Sequence, residues 1–273
     1  MGIEAFRFDN KRVLVVGGAT GMGAAAAEIA QSLGADVVVM DYADVKLAGV
    51  KAIKVDLRDK GSIDVAIDEC GGPVHALLSC AGVADGTAGI EKVNFIGQRH
   101  LIERMVDEDK MPRGSAIAMI SSAAGLGWEA QLPLLIEYLD TPDFDAAAKW
   151  IEAHPDKTNY SWSKQAVCAY VARQAYPLLK KGIRINAIQP GPTDTPLARA
   201  NADVWLAFAK DYRDSVGIEA STPEEQAYPL IFLCSAAASH INGVSFVIDG
   251  GYVSAGFTGA FDAPMVKMMM GRA

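Results

Sequence analysis

Seven short runs rich in apolar and β-branched residues recur along the chain with longer helical stretches between them, and this alternation restricts the fold more than any other feature. The runs are Val13 to Val16, Val37 to Met40, Ala52 to Val55, Ala76 to Ser79, Ala116 to Ile120, Arg184 to Ile188 and Val244 to Ile248. Between them lie Gly21 to Leu33, Ser62 to Cys70, Val93 to Asp107, Tyr160 to Leu179 and Pro223 to Ser235, each long enough to carry the chain back across a sheet. The runs are apolar almost throughout instead of alternating with polar residues, as strands do when both faces are covered. The expected fold is α/β, a doubly wound, seven-stranded parallel sheet. With no internal repeat, low-complexity tract or linker, residues 1–273 read as one domain.

The first run continues into Val16-Gly17-Gly18-Ala19-Thr20-Gly21-Met22-Gly23 and then into an alanine-rich stretch from Ala24 to Leu33. A strand, a glycine turn and a helix start in that order let backbone N–H groups approach a pyrophosphate, with the helix N-terminus adding partial positive charge. Thr20 and Met22 lie inside this turn. A tight turn that binds nothing is the bland alternative. Asp41 speaks for binding: it ends the second run, within about twenty residues of the glycines, where a carboxylate accepts from a ribose diol. The same carboxylate repels a 2′-phosphate, and no Lys or Arg lies between Gly17 and Gly23 or directly after Asp41. NAD is therefore the expected cofactor of a Rossmann-type domain. Lys46 is the nearby cation, read as an exposed side chain.

Tyr160 and Lys164 stand four residues apart in Asn159-Tyr160-Ser161-Trp162-Ser163-Lys164, so a phenol and an ammonium project from one helical face. A free phenol titrates near pH ~10, and a neighbouring cation favours the phenolate and lowers that value, which suits an acid/base. The pair alone also fits an ordinary solvated face.

The sequence resembles the short-chain dehydrogenase/reductase family from Lys11 to about Tyr252. The family's Gly-x-x-x-Gly-x-Gly appears as Gly17, Gly21 and Gly23, and its Asn-Ala-Gly as Cys80-Ala81-Gly82. The helix asparagine matches Asn94, the serine motif matches Ile120-Ser121-Ser122-Ala123-Ala124-Gly125, and Tyr-x-x-x-Lys is Tyr160 and Lys164. Gln189-Pro190-Gly191-Pro192-Thr193-Asp194-Thr195-Pro196 and Val247-Ile248-Asp249-Gly250-Gly251 follow in family order. The resemblance implies oxidation of a secondary alcohol, or the reverse reduction of a ketone, with Tyr160 as the acid/base. It also implies that Lys164 bonds the cofactor ribose, that Ser122 donates to the substrate oxygen and that Asn94 supports a water relay toward Lys164. The choice of Ser122 over Ser121 follows the family's serine pair. Asp56 and Leu57 resemble the pair that meets the adenine and Gly82 the turn beside the cofactor. Thr193 and Thr195 resemble groups holding carboxamide and phosphates. Helix or turn capping is the plain alternative for Asp56 and both threonines. Enoyl reductases of the family usually space the tyrosine and lysine further apart, and halohydrin dehalogenases carry arginine for the lysine.

Val16 replaces the family's threonine before the first glycine, and Cys80 replaces its asparagine. The segment from Ser122 to Tyr160 is far longer than usual, which implies an insertion between roughly Trp128 and Pro155. Leu132, Leu135, Ile136 and Leu139 keep helical spacing. Thr141-Pro142 offers a cap and first-turn proline to a second helix with Phe144, Ala148 and Ile151 on one face, making a helical hairpin. An insertion in this place resembles that of the bacterial 3α-hydroxysteroid dehydrogenase/carbonyl reductases. Leu126, Trp128, Leu197, Trp205 and Phe208 around the expected cleft point to a hydrophobic cyclic or steroid-like substrate.

The net charge of −8, without a basic run, argues against nucleic acid and anionic membranes and for small-molecule chemistry. Cys70, Cys80, Cys168 and Cys234 lack metal-ligand spacing and read as reduced core thiols. His75, His100, His154 and His240 suggest no metal site either. The N-terminal residues form neither a signal peptide nor a myristoylation signal, so a cytoplasmic location is expected. Family members often pair through the helices carrying Asn94 and Tyr160, so a homo-oligomer, dimer or tetramer, is expected. The tail, about 252–273, is rich in methionine from Met265 to Met270 and could cover the cleft or a neighbouring subunit. A non-catalytic NAD-binding sensor of the same fold is the competing reading.

Overall fold

A computed structural model describes residues 2–269. Its strands are β1 (Arg12–Val16), β2 (Asp36–Asp41), β3 (Lys51–Lys54), β4 (Ala76–Ser79), β5 (Ala116–Ile120), β6 (Arg184–Pro190) and β7 (Ser245–Ile248), all within two residues of the apolar runs. They form one parallel sheet in the order β3-β2-β1-β4-β5-β6-β7. From β1 the chain first moves one way to β2 and β3, then returns to β4 on the other side of β1. This reversal opens a crevice at the carboxyl ends of β1 and β4. The helices are α1 (Gly21–Ser32), α2 (Lys60–Cys70), α3 (Gly97–Asp107), α4 (Leu132–Leu139), α5 (Phe144–Ala153), α6 (Tyr160–Lys180), α7 (Pro196–Arg199), α8 (Ala202–Trp205), α9 (Lys210–Val216), α10 (Pro223–Cys234), α11 (Tyr252–Thr258) and α12 (Pro264–Met269). A π turn, Lys92–Ile96, leads into α3.

Both faces of the sheet are buried, which is why its strands carry no polar alternation. Leu14, Val16, Val38, Leu77, Ile117 and Ile185 face one core with Ile63 and Ile67 of α2, Leu101 and Met105 of α3, and Val167 and Val171 of α6. Their strand neighbours Val13, Val15, Val37, Val39, Leu78 and Ala118 face the other, under Ala26, Ala27 and Ala30 of α1 and Ala227, Leu230 and Leu233 of α10. A smaller cluster joins Tyr212, Tyr252, Val253, Ala263 and Val266 at the C-terminal end. Of the methionine-rich tail, Met270 lies outside the described residues.

The segment between Ser122 and Tyr160 carries α4 and α5, but its details differ from the sequence reading. The buried face of α4 is Leu135, Tyr138 and Leu139, with Leu132 exposed; that of α5 is Phe144, Ala147 and Ile151. Thr141-Pro142 does not cap α5. Asp143 does, its carboxylate accepting from the Ala146 N–H at 2.8 Å, because one turn of helix begins only at Phe144. Thr141 serves the turn instead. The guanidinium of Arg99, buried on α3, donates to the Thr141 hydroxyl (2.9 Å) and carbonyl (2.6 Å) while pairing with Glu103. Rings add a second clamp: Tyr138 lies 4.8 Å from Trp150 and 5.4 Å from Phe95, and Trp150 stacks on Trp162 at 5.8 Å. The two short helices are thus fixed against α3 and α6.

Candidate active site

The glycine turn is shaped by close approaches that only hydrogen can fill. Gly17 has φ +83°, and a Cβ there would fall 2.4 Å from the Ala81 nitrogen; a Cβ at Gly23 would fall 2.0 Å from the Gly17 carbonyl oxygen. Chain and helix start are therefore pressed together beside β4. Thr20 is the N-cap of α1, yet its hydroxyl makes no cap bond, and the first turn of α1 carries no acidic residue. The N-terminal dipole is left uncompensated toward the crevice.

That crevice opens as a cleft of about 390 Å³. Gly17, Thr20, Gly21, Met22 and Gly23 line one side, Asp41, Asp56 and Leu57 the far end, and Gly82 and Thr195 the near end. Both Asp41 oxygens accept backbone N–H groups, from Ala19 and Ala43, each at 2.8 Å, which fixes the carboxylate at the strand end. Lys46 does not line the cleft; Arg58 does, and sequence reading overlooked it. Its guanidinium pairs with Asp56 at 2.7 Å and lies 5.4 Å from the Tyr42 ring centroid. Asp56 is thereby held below its ordinary carboxyl range, chiefly by the Arg58 hydrogen bond. Asp59 caps α2, while Asp56 caps the turn before it, its Oδ1 accepting the Arg58 N–H at 3.0 Å.

A second cleft of about 300 Å³ continues from the first, sharing Met22, Cys80, Gly82, Thr195 and Leu197 as walls. Ser122, Tyr160 and Lys164 line it together. Tyr160 opens α6, capped by Asn159, whose side chain accepts from the Trp162 N–H at 2.9 Å. One turn on, the ammonium of Lys164 donates to the Ile120 carbonyl at 3.0 Å and lies 5.4 Å from the Tyr160 ring centroid. Ser122 follows β5, and its oxygen accepts from the Ala124 N–H at 3.1 Å. Ser121 is buried and its hydroxyl is spent on the Lys164 carbonyl at 2.8 Å, which gives the choice of Ser122 a physical ground.

Burial pushes the Tyr160 phenol up to about 12; the Ser122 hydrogen bond works the other way and the Asp85 charge adds to the rise. Burial also brings the Lys164 ammonium down to about 8. The lowered phenol expected from the Lys164 charge is therefore not what this arrangement gives. Desolvation outweighs the neighbouring cation, whose proton is directed at the Ile120 carbonyl.

Asn94 is fully buried and lines neither cleft. Its amide brackets Val83, accepting from N–H at 2.8 Å and donating to C=O at 3.0 Å, and reaches the Ser163 hydroxyl at 3.2 Å. Ser163 in turn donates to the Tyr160 carbonyl at 2.6 Å. Asn94 makes no direct bond to Lys164, though a Cβ at Gly82 would be 3.6 Å from Lys164 Nζ and 3.7 Å from Asn94 Oδ1. Thr193 and Thr195 line the second cleft with structural duties as well. Thr193 donates to the Gly191 carbonyl, and Thr195 caps α7 by accepting from the Ala198 N–H at 3.1 Å.

Of the apolar residues expected around the cleft, Leu197, Trp205 and Phe208 line it, and the Trp205 ring lies 4.9 Å from that of Tyr160. Leu126 and Trp128 do not: Leu126 packs on the C-terminal cluster and Trp128 on the larger core. Met265 of α12 lines it, as does Asp85, which no motif marked. Cys80 is a half-buried wall residue of both clefts, unlike the three buried thiols. Among the described residues no group of three or more His, Cys, Asp or Glu is placed to hold a metal ion, and no helix is long and apolar enough to cross a membrane.

A family model described as enoyl-(acyl carrier protein) reductase matches residues 146–253. The coniferyl-alcohol dehydrogenase of a Pseudomonas strain is 29% identical over 252 residues, 90% of this chain and 97% of that protein. The 3-alpha-hydroxysteroid dehydrogenase/carbonyl reductase of Comamonas testosteroni is 28% identical over 249 residues, 88% of this chain and 95% of that protein. Among solved structures, the 3-alpha-hydroxysteroid dehydrogenase of Pseudomonas sp. B-0831, complexed with NADH, superposes with a TM-score of 0.72 at 26% identity, covering 92% of this chain and 99% of that one.

Proposed function

We propose that the chain is a short-chain dehydrogenase/reductase, an oxidoreductase of the alcohol-dehydrogenase kind that uses NAD(H) to interconvert a secondary alcohol and a ketone on a hydrophobic cyclic or steroid-like substrate. One observation carries the reading: Tyr160, Ser122 and Lys164 line a cleft that continues without a break into the glycine-shaped cradle. That cradle fits a dinucleotide, because the glycines let the turn after β1 and the start of α1 close up against the chain after β4, and no acidic residue in the first turn of α1 opposes an anion there. The bound nicotinamide supplies the hydride donor or acceptor.

The chain supplies the proton chemistry. In oxidation Tyr160 as phenolate would take the alcohol proton at Oη and become the phenol, and in reduction the phenol would give that proton to the ketone oxygen and become the phenolate. Ser122 Oγ donates to the same oxygen, a preorganised contact worth about 3 kcal/mol where charge develops. Lys164 keeps a positive charge beside the phenol at neutral pH and, as the resemblance implies, would bond the cofactor ribose. Asn94 positions the Val83 backbone and, through Ser163, the first turn of α6. Asp41 is the ribose-diol acceptor and the reason for NAD over NADP, with Arg58 kept from a 2′-phosphate by its pairing with Asp56. The Tyr160-to-Lys164 spacing of four speaks against enoyl reduction by resemblance. A homo-oligomer is proposed too, with light scattering as its check; α4 and α5 lie on the α3 and α6 side, so the contact would be made elsewhere or through them.

Purified protein should raise absorbance at 340 nm with NAD and an apolar cyclic secondary alcohol. Tyr160→Phe should lower kcat by at least about a thousandfold while leaving NAD binding within about twofold. Retained turnover would remove Tyr160 from its role. Tight NAD binding with no turnover on any alcohol or carbonyl would decide for the competing reading, a non-catalytic NAD sensor.

A further inference from the structure

Among the described residues, Asp85 and Lys164 are the only charged side chains that line the second cleft. Lys164 is 2% exposed and its ammonium faces the Ile120 carbonyl, whereas Asp85 is exposed, so the sign of the potential at the cleft mouth is set by a carboxylate. Asp85 is also held in place. Its Oδ1 accepts the N–H of Tyr160 at 2.7 Å, across 75 residues of sequence, which ties the loop after β4 to the first residue of α6. Oδ2 has no partner among the described residues. Across the cleft stand the rings of Trp205 and Phe208 with Leu197, Val204 and Met265, apolar surfaces that offer an anion nothing and whose aromatic faces attract cations. Arg199, on the neighbouring α7, is paired with Asp194 at 2.6 Å and does not line the cleft. The chain's net charge of −8 adds in the same direction.

Resting on the alcohol-oxidoreductase reading above, we propose that Asp85 is a specificity-determining residue of the substrate cleft. It selects against ring alcohols and ketones that carry a carboxylate or phosphate and favours those that present a hydrogen-bond donor, a hydroxyl or an ammonium, away from the reacting carbon. Among the described residues the one cation in the lining, Lys164, is buried and turned to the Ile120 carbonyl, so a carboxylate on the far part of the substrate is repelled by Asp85 without a counter-charge beside it. A donor meets the unpartnered Oδ2 with an aromatic wall behind it. The Tyr160 N–H bond keeps that oxygen aimed while leaving the Tyr160 phenol free for its own proton.

The test uses three cyclohexanols of similar size, bearing at C4 a methyl, an aminomethyl or a carboxylate group. With the wild-type protein, kcat/KM should fall at least about tenfold from methyl to carboxylate and should not fall from methyl to aminomethyl, and the gap should narrow as salt rises from about 0.02 to about 0.5 M. Asp85→Asn keeps an oxygen for the Tyr160 N–H but loses the charge. It should bring the kcat/KM values of the methyl and carboxylate compounds within about threefold of each other. Asp85→Ser provides the same reading should the amide disturb the loop. The ranking should also appear in dissociation constants read from intrinsic fluorescence, Trp205 being a cleft wall, so selectivity is measured even without turnover. Wild-type protein that takes the carboxylate as readily as the methyl compound, or a preference unmoved by Asp85→Asn and by salt, overturns the role of Asp85 and leaves the dehydrogenase reading intact. Absent turnover of all three with a charge-ranked binding series sinks the dehydrogenase reading and leaves the selectivity standing.

Discussion

Lys164 shows what the site costs the fold. Its ammonium is buried with one carbonyl for company, and burial brings it down to about 8 from the 10.5 of an ordinary lysine. Below pH 8 both folded and unfolded chains hold the proton, and the folded one bears a desolvated charge. Between about 8 and 10.5 the unfolded chain alone stays protonated, so this group's contribution rises with pH, by about 3 kcal/mol in total. Tyr160 acts with the opposite sign: the unfolded phenol ionises near 10 while the folded one holds its proton to about 12, so its contribution is present below 10 and lost above it. Lys164→Met should therefore raise the denaturation midpoint at pH 7, by roughly 1–3 kcal/mol, while turnover collapses. Denaturation at pH 7 and 9 should show the advantage shrinking at the higher pH, and a variant less stable than wild type at pH 7 contradicts the account. The Tyr160, Lys164 and Ser122 positions were readable from spacing and motif order. The direction of the phenol shift was not, because it depends on how much water the folded cleft excludes. Arg58 and Asp85 were hidden for a related reason: one pairs two residues away with no motif to mark it, the other meets Tyr160 only in three dimensions.

At the scale of elements, apolar periodicity announced both helices of the insertion but not the register of their buried faces. Tyr138 and Ala147 are buried where Ile136 and Ala148 were expected, since the face is chosen by the rings of Phe95 and Trp162 outside the insertion together with Trp150 of α5. The cap was misplaced because Thr141-Pro142 and Asp143 are adjacent candidates, and the Arg99 guanidinium claims Thr141. Arg99 is then the residue on which the attachment turns. Arg99→Ala removes two bonds to Thr141 and leaves Glu103 without its partner, so it should cost about 2–3 kcal/mol in a denaturant melt. Proteolysis should then cut first between residues 139 and 144. A melt unchanged within about 0.5 kcal/mol would place the hold on α4 and α5 in the ring cluster alone.

For the molecule as a whole, the alternation of apolar runs determined a parallel sheet, and the reversal of strand order at β1 and β4 brings Asp41 into one groove with Tyr160 although they lie on opposite sides of that reversal. A dinucleotide spanning the groove binds the folded chain and not the unfolded one. At a hundred times its dissociation constant it adds about 2.7 kcal/mol, which for a chain of this size raises Tm by roughly 5–10 °C. NADP at the same concentration should raise it less, because the Asp41 carboxylate is locked by the Ala19 and Ala43 N–H groups and does not turn away from a 2′-phosphate. Asp41→Asn keeps an acceptor oxygen for one of those two N–H groups, sets its amide NH2 against the other and removes the repulsion, so the NADP shift should grow toward the NAD shift. The opposing force is local as well: Arg58 reaches a 2′-phosphate only by giving up Asp56, which exchanges one charge-assisted bond for another. Thermal melts of wild type and Asp41→Asn with each cofactor separate the two residues. Equal shifts for NAD and NADP in the wild-type protein would mean that Arg58 wins that exchange and that the preference for NAD is wrong.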